Sequence, residues 1–151
     1  VSNNQISNWG AVQSSVQATV LQLANAAPNA KIRIFGYPRL MGPTKNWLGI
    51  WNCPDVTGVT GNEARWIDSQ AATLNTIIAN AVNAVRAAKP GVNLSYVDVT
   101  GHLPVGSCYG QGPAAHINDR VGEPFWTSDA SFHPNQNGYN GYYNALLGSG
   151  V

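Results

Sequence analysis

Apolar residues recur every three or four positions in two long stretches of the chain and cluster tightly in two short ones. Trp9, Val12, Val16, Val20 and Leu23 fall on one helical stripe, and Asn8 stands where a cap belongs. Ala26-Ala27-Pro28-Asn29-Ala30 ends the run, so a helix is predicted from Trp9 to about Ala27. Lys31-Ile32-Arg33-Ile34-Phe35-Gly36-Tyr37-Pro38 is short and rich in branched and aromatic residues, the mark of a strand whose exit is punctuated by Gly36 and Pro38. Ile67, Ala71, Leu74, Ile78, Ala81, Val82 and Val85 trace a second helical stripe that stops at Lys89-Pro90-Gly91. Leu94-Ser95-Tyr96-Val97-Asp98-Val99 reads as a second strand, and Gln136 to Leu147 as a terminal helix.

Between these elements lie two irregular segments rich in Gly and Pro, Leu40 to Gly61 and Gly101 to Thr127, loops long enough to be either functional or pinned down. The order helix, strand, helix, strand, helix implies parallel strands joined by crossover helices, and hence an α/β doubly wound sheet. Two strands fall short of the roughly four to six that such a sheet needs when both faces are covered, so further strands are expected before Val1. The chain opens Val1-Ser2-Asn3-Asn4, neither a charged leader nor an initiator methionine, and reads as processed or as a part of something longer.

Composition narrows the partners. Charged residues are 10% of 151 and the formal net charge is +1, so there is no polybasic or acidic field to draw in nucleic acid or an anionic membrane. No apolar run reaches the length of about 18 residues that a membrane-spanning helix requires. Five Trp and six Tyr among so few charges resemble secreted proteins that meet sugars or lipids, although ordinary core and surface aromatics account for any one of them equally well. Cys53 and Cys108 have no CxxC or His-rich company, which argues against zinc. They read as a disulfide, closing a loop of about 55 residues worth on the order of 4 kcal/mol in the chain-entropy model, or else as two buried thiols. Asn93-Leu94-Ser95 matches the glycosylation sequon but abuts the second strand.

The chemistry concentrates in Ser128-Asp129-Ala130-Ser131-Phe132-His133-Pro134-Asn135-Gln136-Asn137-Gly138-Tyr139. Pro134 and the polar residues after it place His133 on a loop just before a helix, where its imidazole can face a cleft and accept a proton near neutral pH. In open α/β sheets, ligands sit beyond the carboxyl ends of the strands, and Tyr37-Pro38, Thr100-Gly101-His102 and the His133 loop would share that end. Ser107 and Ser131 lack the Gly-x-Ser-x-Gly elbow of a nucleophile, and His102 and His116 read as hydrogen-bonded loop residues rather than metal ligands.

Asp129-Ala130-Ser131-Phe132-His133-Pro134-Asn135 followed by Gly138 resembles the last motif block of the SGNH, or GDSL-type, esterases and lipases. Ile34-Phe35-Gly36-Tyr37-Pro38-Arg39-Leu40 and Gly101-His102 with Cys108 and Ile117-Asn118 match the secreted lipase-like branch at the level of pattern. The resemblance implies the fold class α/β, with residues 1–151 forming the C-terminal part of a flavodoxin-like doubly wound parallel sheet with flanking helices in three layers, α/β/α. It implies hydrolysis of a carboxylic ester of a small molecule, lipid or carbohydrate through a serine acyl-enzyme, with no cofactor and no metal. His133 would be the catalytic histidine, oriented by Asp129 or by the Ala130 carbonyl. The family places its aspartate three residues before the histidine, and here Asp129 stands four before. The serine, the glycine and the asparagine of the oxyanion hole would come from an N-terminal fragment of the same precursor. The alternative is a non-catalytic carbohydrate-binding or structural module presenting Trp47, Trp51 and Trp66.

Overall fold

The computed structural model describes residues 8–42, 59–107, 115–118 and 131–150. Five elements follow in order: α1 (Trp9–Ala26), β1 (Ile32–Phe35), α2 (Gly61–Ala88), β2 (Leu94–Val97) and α3 (Gln136–Gly148). Asn8 opens α1 as expected, its side chain accepting from the Ala11 amide at 3.2 Å. α1 and α2 stop for one shared reason. Ala27 and Lys89 each precede a proline, whose ring disfavours helical backbone in the residue before it, and they take φ/ψ of −131/66° and −130/77°. α2 starts six residues ahead of its first predicted stripe residue because Thr60 and Glu63 form a reciprocal capping box, a polar signal that apolar periodicity does not carry.

β1 and β2 pair in parallel, Ile32 opposite Leu94 through Phe35 opposite Val97. The ladder opens with the Ile32 amide donating to the Asn93 carbonyl at 2.7 Å and closes with the Gly36 amide on the Val97 carbonyl at 3.0 Å. Both strands are shorter than predicted. After Phe35 the backbone leaves the sheet, and the Asn75 side chain takes the place of a neighbouring strand: it accepts from the Tyr37 amide at 2.6 Å and donates to the Tyr37 carbonyl at 2.8 Å. A Cβ on Gly36 would collide with the Tyr96 hydroxyl and the Asn75 side chain, so only glycine lets them approach.

Side chains alternate across the sheet, as the pleat dictates. Ile32, Ile34, Leu94 and Tyr96 pack with Val20 and Ala24 of α1 and Val82 and Val85 of α2. Phe35 and Val97 pack on the other face with Val99, Leu103, Ile117 and with Tyr142 and Ala145 of α3, and the Phe35 and Tyr142 rings meet edge to face at 5.7 Å. Helices therefore lie against both faces of a small parallel sheet. The α1 stripe is rotated from the predicted one: Ala24, one turn after Val20, is fully buried, whereas Leu23 is exposed. Lys89 joins the C-terminal ends of α1 and α2 by donating to the Asn25 side chain at 2.5 Å.

Candidate active site

The C-terminal ends of β1 and β2 carry the polar chemistry. Asp98 closes a tight turn by accepting from the Thr100 amide and hydroxyl at 2.9 and 2.8 Å. The segment Leu40–Gly42 is fixed from two sides. Asp68 of α2 accepts the Met41 amide at 2.9 Å and faces the amides of Leu40 and Gly42, while the amide and hydroxyl of fully buried Ser107 both donate to the Leu40 carbonyl at 2.9 Å. The Gly106 amide donates to the Gly42 carbonyl, and the Ser107 hydroxyl also reaches the Met41 sulfur at 3.3 Å. Ser107 is thus committed to the backbone, in keeping with its reading as no nucleophile.

Burial pushes the Asp68 carboxyl above the usual carboxylate range, against the pull of those amides and of the Arg39 charge. Burial, and then the Asp98 charge, raise the Tyr96 phenol; burial, and then Tyr37, raise that of Tyr142. Tyr37, Arg39, Asp68, Asn75, Tyr96 and Asp98 help to line a cleft of about 730 Å³ between α2 and the strand exits. His133 is not among its lining residues. Asp68 and Asn75, which hold the strand exits in place, lie on the polar side of α2 and carry no sequence signal beyond their type.

The His133 segment is built on a short crossing with residues 115–118. The Asn118 amide donates to the His133 carbonyl at 2.8 Å, the Asn135 amide to the His116 carbonyl at 3.0 Å, and Ile117 and Pro134 form an antiparallel bridge. Asn135 then caps α3, accepting from the Gly138 amide at 3.1 Å and donating to the Ala115 carbonyl at 2.9 Å. Gly138 and Gly141 let α3 lie against main-chain carbonyls: a Cβ at 138 would strike the His116 oxygen, and one at 141 would sit 2.6 Å from that of His102. His133 itself is exposed. Directly before it, Phe132 has φ of 61°, the left-handed region that a bulky side chain seldom occupies.

Asp129 and Ala130, the two proposed partners of the imidazole, lie outside the described residues, as do Cys53, Cys108, Trp47 and Trp51. The amides of His102 and His116 bond the Val99 and Val105 carbonyls at 3.0 Å, while the His116 Nδ1 is buried with no partner. Among the described residues no group of three His, Cys, Asp or Glu side chains converges as a metal site would require. Asn93, in the sequon, accepts from the Arg33 guanidinium at 2.9 Å. Trp66 is exposed on α2.

No helix among the described residues is long and apolar enough to cross a membrane. No protein-family model matches the chain, and no curated protein matches it. Two solved structures share its fold. An extracellular lipase from Streptomyces rimosus is 18% identical with a TM-score of 0.59, over 93% of this chain and 55% of the lipase. A phospholipase A1 from Streptomyces albidoflavus NA297 is 20% identical with a TM-score of 0.64, over 96% of this chain and 52% of the phospholipase. At that identity the likeness is one of fold, and the chain spans about half the length of each of the two proteins.

Proposed function

We propose that this chain is the C-terminal portion of a secreted SGNH-type carboxylic-ester hydrolase in which His133 is the general base. The observation that carries this reading is the placement of His133 on a braced loop at the entrance of α3, in a chain whose fold is like those of a lipase and a phospholipase A1. A serine hydroxyl from the N-terminal portion of the same precursor would attack the ester carbonyl and pass its proton to the His133 imidazole. That proton would then go to the leaving alcohol, and water would release the acyl group by the same route. Asp129 or the Ala130 carbonyl would hold the imidazolium. The complete sheet would be doubly wound, with helices in layers on both faces. The ester is of a lipid, a carbohydrate or another small molecule, and Cys53 with Cys108 would form a disulfide suited to an extracellular setting.

Two features of the surface support the partner segment. In the parallel ladder Ile32 and Gly36 turn their amides to β2, so the main-chain groups of Arg33 and Phe35 point to the other edge of β1, which among the described residues carries no paired strand and invites one. On α3, Tyr139, Tyr143 and Leu147 are 60%, 60% and 55% exposed and form one flank that runs on from Tyr142 beside Phe35. An apolar flank of this kind marks a surface to be covered.

The product of the complete reading frame should hydrolyse a short-chain p-nitrophenyl ester and label with a fluorophosphonate on a serine outside this chain. His133→Ala should lower kcat by at least about 10⁴-fold. Full activity in that variant, or no hydrolysis by the complete protein, would overturn the reading. A second reading, a non-catalytic carbohydrate-binding module, is favoured by the exposure of Trp66 and predicts glycan binding that Trp66→Ala abolishes and His133→Ala leaves intact.

A further inference from the structure

The His133 backbone is held firmly on its C-terminal side, through its own carbonyl on Asn118, the bridge of Ile117 with Pro134 and the cap at Asn135. On its N-terminal side the adjoining residue, Phe132, is anchored by its ring. That residue is unusual twice over. Its φ of 61° is costly for any side chain with a Cβ, and its ring packs against Met41 and Ala64 together with Leu40, Val59 and Ile67. The socket is itself immobilised. Met41 is buried and its amide is taken by Asp68, while the preceding carbonyl accepts from the amide and the hydroxyl of Ser107, whose oxygen lies 3.3 Å from the Met41 sulfur.

A left-handed φ at an aromatic residue persists only where its surroundings over-determine it, and here the seated ring supplies that determination. We infer that Phe132 is a positioning residue: its ring, locked between the Met41 loop and the start of α2, holds the chain in the left-handed turn that fixes the direction of the His133 imidazole. The socket thus couples the exit of β1 and the first turns of α2 to the histidine loop, three places far apart in sequence. Glycine would adopt the same φ at no cost but would leave the socket empty, so the position uses an aromatic side chain in spite of the backbone rather than because of it. What this means for catalysis rests on the reading of His133 as general base, whereas the orientation of the ring does not.

The test uses the imidazole signals of the three histidines in the isotopically labelled protein. The unmodified protein should show one sharp set for His133 and a nuclear Overhauser contact between the Phe132 ring and the Met41 methyl group. Phe132→Ala should broaden or split the His133 signals while those of His102 and His116 keep their positions. Phe132→Leu, which still fills the socket, should restore a single set, and Met41→Ala, which empties the socket from the other side, should reproduce the loss. No contact between Phe132 and Met41 in the unmodified protein overturns the inference without any variant. So does an unchanged His133 in both alanine variants, or a change shared equally by all three histidines, which would be mere loss of fold. In the complete enzyme, Phe132→Ala should lower kcat at least tenfold with KM within twofold; a KM effect alone counts against the inference. If the unmodified enzyme hydrolyses no ester, the proposed function falls while the imidazole signals still decide the role of Phe132.

Discussion

The side-chain amide of Asn75 closes on both main-chain polar groups of Tyr37, accepting from its N–H at 2.6 Å and donating to its carbonyl at 2.8 Å. One residue of α2 thereby does for the exit of β1 what a third strand would otherwise do, and it sets the direction in which Tyr37, Pro38 and Arg39 approach the cleft. Asn75→Ala removes both bonds at a half-exposed site, where each is worth about 1 kcal/mol. Urea unfolding should show a loss of about 1–2 kcal/mol, and amide exchange at Tyr37 should quicken while that at Ile34 does not; unchanged exchange at Tyr37 would refute the assignment.

Asp68 gives stability a pH dependence of definite sign. Burial raises its carboxyl pKa in the folded state above the ordinary 3.8. The fold therefore binds that proton more tightly than the unfolded chain does. The contribution is fully present below about 3.8 and is lost as pH rises through the folded value. Asp68→Asn keeps an oxygen for the Met41 amide and removes the titration. The stability of the variant relative to the parent should accordingly rise between acid and neutral pH. A difference that stays constant or falls over that window contradicts the account.

Glu63 acts in the opposite sense. The Thr60 amide, and then the Thr60 hydroxyl, hold its carboxyl below the ordinary 4.5. Its contribution is present above about 4.5 and is lost as pH falls through the depressed folded value, so Glu63→Gln should matter at neutral pH and vanish in acid. Thr60→Ala removes the other half of the box and should cost about 1 kcal/mol, read from thermal unfolding.

Glycine plays different parts in α1 and α3. By intrinsic helix propensity every helical Gly→Ala change gains up to about 1 kcal/mol. At Gly141 a Cβ would sit 2.6 Å from the His102 carbonyl oxygen and 2.8 Å from Leu103 Cδ1, and backbone cannot give way as a flexible side chain can. The collision wins, and Gly141→Ala should lower the melting temperature by several degrees, since about 1 kcal/mol shifts a domain of this size by roughly 4 °C. At Gly10 nothing lies within 4 Å, so the same substitution there should raise the melting temperature slightly. Equal effects at the two positions would show that α3 does not lie against the His102 carbonyl.

The sequence by itself determined the five elements and their order. Apolar spacing is a local property that helices and strands express directly, and prolines 28 and 90 mark the ends of α1 and α2 through the residues they restrict. It also singled out His133 before α3, because Pro134, Asn135 and Gly138 are the residues that such an entrance needs. Its errors were those of local reasoning. The start of α2 is written in Thr60 and Glu63 rather than in the apolar stripe, and the α1 stripe turns toward Ala24 because α2 and the sheet approach from that side. Only the tertiary structure decided that the strands stop at Phe35 and Val97, that Asn75 closes on Tyr37 just past the end of β1, that Asp68 and Ser107 clamp one loop from opposite sides, and that Phe132 takes a left-handed turn to seat its ring on Met41. Each of these pairs residues more than 25 positions apart, and no periodicity in a linear chain records which distant side chain will arrive to satisfy a given main-chain group or fill a given socket.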